Sequence, residues 1–121
     1  MSRPAQQLGK LGERRALEHL QQRGYAIVTT NWRCPFGEID IVARQGSTLV
    51  FVEVRSRHAA GTEAAFASIG ARKRARIEQA AQAYLSQHEP DGADWRIDVI
   101  AVALPHGRPP IVEHIEDALG W

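Results

Sequence analysis

Two strand-like runs, "GEIDIVAR" at residues 37–44 and "STLVFVEVRSR" at 47–57, stand almost back to back, with Gln45 and Gly46 between them. Both are rich in β-branched residues and bounded by turn-forming ones, as strands are. Parallel strands need a crossover of about a dozen residues or more, so a connection this short forces antiparallel pairing. The middle of the chain is therefore a hairpin, and the rest must pack around it. "YAIVTTNWR" at 25–33 reads as a strand preceding the hairpin. "DWRIDVIAVAL" at 94–104 is nearly continuous in apolar residues, the pattern of a strand covered on both faces.

Between these strands the period changes from two to that of a helix. A first helix is predicted over 4–23, with Ser2 as its cap, Pro4 in its first turn and Gly24 as its stop. A second is predicted over 69–88, "IGARKRARIEQAAQAYLSQH". "HAAGTEAAFAS" at 58–68, rich in small residues, reads as a mobile loop, and "IVEHIE" after the break "PHGRPP" as a short last strand. The order is α-β-β-β-α-β: an antiparallel meander, then a helical crossover that makes the strand after the helix a parallel neighbour of the third. The fold class is α/β, a mixed sheet with helices on both faces, in a single domain over 1–121.

Side-chain parity locates the chemistry. Glu38, Asp40 and Val42 share one face of their strand, and Glu53, Arg55 and Arg57 share a face with Leu49 and Phe51 on the next. A loop of Gln45-Gly46 pairs Arg44 with Ser47 and Glu38 with Glu53, leaving Asp40 diagonal to Glu53; a loop of Gly46-Ser47 sets Asp40 directly opposite Glu53. Either register gathers the carboxylates, whereas a slip of one residue would separate them. Like charges opposed across strands destabilise a sheet unless something intervenes, and a divalent cation is an economical answer. Magnesium and manganese take hard oxygen ligands, with the backbone carbonyl of Val54 as a further donor and Glu38 close by. The hairpin alone is served equally well by a solvated strand end in which Glu53 pairs with Arg55, Arg57 or Arg33.

The helices bear on that choice. Gly9, Glu13, Ala16, Leu17 and Leu20 follow the spacing of one helix face, so Glu13 lies within an apolar stripe and needs a partner or a metal unless it snorkels from the stripe's edge. Lys73, one turn ahead of the stripe Ile77, Ala80, Ala81 and Tyr84, reads as a solvated lysine. Charge is segregated under a net of +1: residues 55–76 hold Arg55, Arg57, Arg72, Lys73, Arg74 and Arg76 against Glu63 alone, while 77–121 hold eight acids against Arg96 and Arg108. Such a basic patch can attract polyanions although the average charge does not, while on charge alone a solvated helix face with its intervening loop accounts for it too. A single cysteine, Cys34, excludes a disulfide within the chain and a cysteine zinc cage. No run approaches a membrane span of about 18 apolar residues and the start is polar, so the expected address is the cytoplasm, with no membrane partner.

Taken in order, an acid in the first helix, "GEID", the hairpin, "VFVEVRSR", "NWR" at 31–33, Lys73, "WRIDVIAV" at 95–102 and "HIEDAL" near the end resemble the bacterial YraN-like family of uncharacterised proteins. That family is placed within the PD-(D/E)XK superfamily, which includes restriction endonucleases and Holliday-junction resolvases. The resemblance implies a restriction-endonuclease-like core and a metal-dependent endonuclease acting on DNA, with Mg²⁺ or Mn²⁺ as cofactor. It places the metal-binding acids on Asp40 and Glu53, the helical acid on Glu13 and the lysine of the motif on Arg55. Ile39 stands where the motif's name has proline. The candidate phosphate grips, read from the basic residues themselves, are Arg33, Arg57, Arg72, Lys73, Arg74 and Arg76. Arginine cannot serve as a base, but it can hold a phosphate. The departure at Arg55 therefore leaves room for a binding module without catalysis, or for a protein whose basic helix docks an acidic partner. Cutting a four-way junction would require two sites and so a homodimer.

Overall fold

The computed structural model describes residues 3–118. The elements run α1 (Pro4–Gln22), β1 (Ala26–Cys34), β2 (Gly37–Gln45), β3 (Thr48–Arg57), α2 (Glu63–Ala67), α3 (Ala71–His88), β4 (Trp95–Ala103) and β5 (Ile111–Ile115). They form one five-stranded sheet in the order β1-β2-β3-β4-β5. β3 and β4 are parallel and the other pairs antiparallel. This is the mixed α/β sheet that the order of elements implies, with a meander followed by a helical crossover.

Each face of the sheet is closed by one long helix. Ala16 and Leu20 of α1 pack with Ile41, Ala43, Val50, Val52, Ile100 and Val102, while Ile77, Ala80, Ala81 and Tyr84 of α3 pack with Val42, Leu49, Phe51 and Val99. The alternation of β3 and β4 is thereby satisfied on both sides, which is why neither strand shows a polar face in its middle. α1 comes unusually close to β3 at Gly12, where an added Cβ would sit 1.6 Å from Oγ of Ser56.

Four sequence expectations are corrected. The segment 58–68 is not a plain loop: it contains α2, with Thr62 and Ala65 buried, because Ala65 and Phe66 offer an apolar side to the sheet. The first helix is capped at Arg3, whose backbone N–H donates to Oε1 of Gln6 at 3.1 Å; Ser2 lies outside the described residues. The second long helix starts at Ala71 rather than at residue 69, with Gly70 as its N-cap. Ile39 packs on the α3 side with Val42 and Phe51, not with Ile41, because the alternation breaks at Asp40, where the β1–β2 pairing skips Asn31 at φ +52 and the β2–β3 ladder has ended.

Candidate functional site

The hairpin register resolves the choice between turns. Gln45 pairs with Thr48, so the loop is Gly46-Ser47, with Gly46 at φ +60, a left-handed conformation that glycine adopts without penalty. Extended past Ile41↔Val52, this register sets Asp40 opposite Glu53. There the ladder gives way to side-chain bonding: the backbone N–H of Val54 donates to Oδ2 of Asp40 at 2.8 Å.

The two acids are differently placed. Asp40 is half-buried and lines a cavity of about 290 Å³ with Gly9 and Glu13 of α1 and with Val54, Arg55 and Arg57 of β3. Glu53 does not line it, being 4% exposed, and it reaches toward α3 instead. Burial, then the neighbouring Glu53 carboxylate, push Asp40 up to about 9, so near neutral pH the pair holds a proton in place of a second charge. Nζ of Lys73 lies 3.2 Å from Oε2 of Glu53, an ion-pair contact whose geometry still leaves that buried oxygen without a hydrogen bond. Lys73 is therefore not the solvated lysine its position ahead of the stripe suggests.

The remaining predicted residues divide between the site and its rim. Glu13 is half-buried and accepts from Nδ2 of Asn31 at 3.2 Å; burial raises its carboxyl, and the charges of Asp40 and Glu38 raise it further against the Asn31 hydrogen bond. The same Asn31 amide donates to Glu38 at 2.8 Å, and Arg33 pairs with Glu38 at 3.2 Å on the sheet edge. Asn31 itself holds φ +52, a conformation uncommon outside glycine. Arg55 is turned aside: its Nε donates to Oγ of Ser68 at 2.9 Å, at the end of α2. Arg57 folds back onto the carbonyl of Ser56 at 2.7 Å. Arg72, Arg74 and Arg76 are exposed along the start of α3.

These positions decide what the site can hold. Among the described residues no three His, Cys, Asp or Glu side chains converge as a metal cage, since Asn31 and Arg33 hold Glu13 and Glu38 in their own contacts. What converges is a carboxyl pair, one member with a buried oxygen short of a hydrogen bond, beside a half-exposed lysine. Two hard oxygens of this kind fit an octahedral cation that keeps most of its water and takes its other ligands from a phosphate.

A second polar cluster escaped sequence reasoning. Asp98, fully buried on β4, accepts from Nε of Arg96 at 2.9 Å and from the backbone N–H of Asp117 at 2.9 Å, and it bonds Nε2 of His114 at 2.8 Å. His114 continues to His19 of α1 at 3.2 Å, and Arg96 donates to the hydroxyl of Tyr25 at 2.9 Å. The alternation of Arg96 and Asp98 inside an otherwise apolar strand was the available signal.

A meander with one parallel strand, and paired acids where its hairpin ladder opens, is consistent with the PD-(D/E)XK nuclease-like class. The chain belongs to the uncharacterised protein family UPF0102, whose model matches residues 12–102, a span that includes Glu13, Asp40, Glu53, Arg55 and Lys73. It is 44% identical to a UPF0102 protein of Chloroflexus aurantiacus, over 99% of this chain and 98% of that one. It is 42% identical to UPF0102 proteins of Renibacterium salmoninarum, over 90% and 92% of the two chains, and of Streptomyces griseus, over 88% and 91%. No helix among the described residues is long and apolar enough to cross a membrane.

Proposed function

We propose that this protein is a divalent-cation-dependent endonuclease that hydrolyses DNA phosphodiesters at the Asp40–Glu53 pair. The observation that carries this reading is the confrontation of two carboxyls across the open end of the hairpin, with Lys73 reaching one of them from α3. Asp40 and Glu53 would hold Mg²⁺ or Mn²⁺, with the Val54 carbonyl as a neutral donor. Such a cation, when bound, supplies a water of lowered pKa and charge stabilisation at the attacked phosphate.

The chain's own residues supply the rest. Arg55 of β3 is engaged by Ser68, and Lys73 brings a second cation from α3 to Glu53; it would donate to the phosphate as negative charge builds there. Glu13, held by the Asn31 amide, closes the other wall and would orient water at Asp40. The first turn of α3 has no acidic residue and carries Arg72, Lys73 and Arg74, opposite to the preference of a helix N-terminus, whose own partial charge is positive. That arrangement disfavours the isolated helix and favours a bound polyanion.

Purified protein incubated with duplex, single-stranded and branched DNA plus Mg²⁺ or Mn²⁺ is expected to cut at least one substrate. Asp40→Ala and Lys73→Ala should each abolish the cut, and equal cutting by the Asp40→Ala protein would end the proposal. The engagement of Arg55 by Ser68 favours a second reading, a nucleic-acid-binding module without catalysis. It predicts DNA binding that survives loss of both acids, with no heat of Mg²⁺ uptake in calorimetry.

A further inference from the structure

The cavity at the paired acids is too small to take much more than the reacting phosphate, so the nucleotides on either side must lie elsewhere on the surface. A larger cavity, about 920 Å³, opens beyond the carboxyl ends of the parallel strands, within the range of about 300–1,000 Å³ that encloses small organic ligands. Those ends are level with each other: Arg57 pairs with Ala103, and the N–H of Leu104 donates to the carbonyl of Arg57 at 2.9 Å. The segments that leave them form the cavity. Its walls include Leu11 of α1, His58, Leu104, His106 and Arg108. Crevices past the carboxyl ends of parallel strands are where open α/β sheets place ligands.

Three properties of this cavity point to one occupant. Its lining contains no carboxylate, while His58, His106 and Arg108 are exposed and, among the described residues, have no hydrogen-bond or ion-pair partner. Its lining is apolar at Leu11, Leu104 and Pro105, which suits the face of a base. Its position is a direct continuation of β3: Arg55 and Arg57 line the smaller cavity and His58, the next residue, lines the larger. Duplex DNA hides its base faces, so a lining that combines apolar side chains with an arginine and two imidazoles is matched by an unpaired nucleotide.

We infer that this cavity is a subsite for an unpaired nucleotide flanking the scissile phosphate, so that the substrate class is DNA with single-stranded character beside the cut, such as flaps and branches. The inference rests on the nuclease reading for the word scissile, but the binding site is testable without catalysis. Amide NMR of the intact protein is titrated with a 5′-phosphorylated thymidine dinucleotide in EDTA. Shifts are expected to concentrate at His58–Ala60 and Leu104–Arg108. Arg108→Glu is expected to weaken binding about tenfold with the spectrum elsewhere unchanged, and the His58→Ala/His106→Ala pair to weaken it as well. Shifts that are absent there, or confined to α3 and the paired acids, overturn the subsite, as does unaltered affinity in both variants. Asp40-dependent cleavage without these shifts removes the subsite alone. The shifts without any cleavage leave the subsite standing and remove the nuclease.

Discussion

At Asp40 the cost of the site is visible in one side chain. Its carboxyl is raised to about 9, so the folded protein keeps a proton that the unfolded chain releases near pH 4. The unfolded state therefore binds fewer protons between those values, and stability falls as pH rises through that window. Asn imitates the protonated acid without titrating. Asp40→Asn is expected to match the parent at pH 4 and to exceed it by about 1–3 kcal/mol at pH 7, read from urea unfolding without divalent cation. Cation uptake must displace the same proton, so isothermal titration with Mn²⁺ in buffers of different ionisation enthalpy should show release of about one proton per ion at pH 7. Lys73 acts in the opposite sense, and Lys73→Met, which leaves Glu53 buried without its countercharge, should destabilise by about 1–2 kcal/mol, less than for a fully buried pair because the lysine is half exposed. The two acids were legible as neighbours because the hairpin that carries them is local in sequence; the side each one takes was not, since Asp40 turns toward α1 and Glu53 toward α3 where the alternation of β2 breaks. The role of Lys73 was not, since its helical spacing allows a solvated position equally well and only the docking of α3 against β3 decides.

Among the elements, the hairpin and α1 carry the geometry. The Gly46-Ser47 loop lies about 20 Å along the strand from Asp40, yet it sets which part of β3 stands across from it. Inserting one residue into that loop shifts the register by one and should abolish cation binding, while inserting two should restore part of it. The sequence admitted two loops with the same parity, and the structure takes the one that pairs Gln45 with Thr48. α1 is equally constrained at Gly12, where a methyl would collide with Ser56. Gly12→Ala should push the helix outward, lower stability by about 1–3 kcal/mol despite alanine's better helix propensity, and lower DNA cleavage further by moving the adjacent Glu13 from Asp40. Helicity alone could not show this, because close approach depends on the neighbour across the interface. The same applies to α2, whose alanines look like loop filler until the sheet beside them is known.

Across the whole molecule, the sheet is held by two polar centres of opposite character. Burial alone would raise Asp98, but the hydrogen bonds from His114, from Arg96 and from the Asp117 backbone outweigh it and hold the carboxyl below its usual range. A depressed carboxyl contributes stability above its unfolded value, near pH 4, and loses that contribution as pH falls through the folded one. Asp98→Asn should therefore cost about 3–5 kcal/mol at neutral pH, and the gap to the parent should narrow below pH 4, as followed by denaturant midpoints. The Asp98 cluster joins α1, β1's approach at Tyr25, β4 and β5, so it fastens the architecture where the Asp40 pair strains it. The strained pair also has a consequence for the order of folding. The hairpin that opposes Asp40 and Glu53 is local in sequence, whereas Lys73 arrives only once the crossover helix has docked. Folding thus assembles two facing acids before their countercharge is present, and the refolding limb of the chevron, more than the unfolding limb, should slow as alkali strips the proton they share.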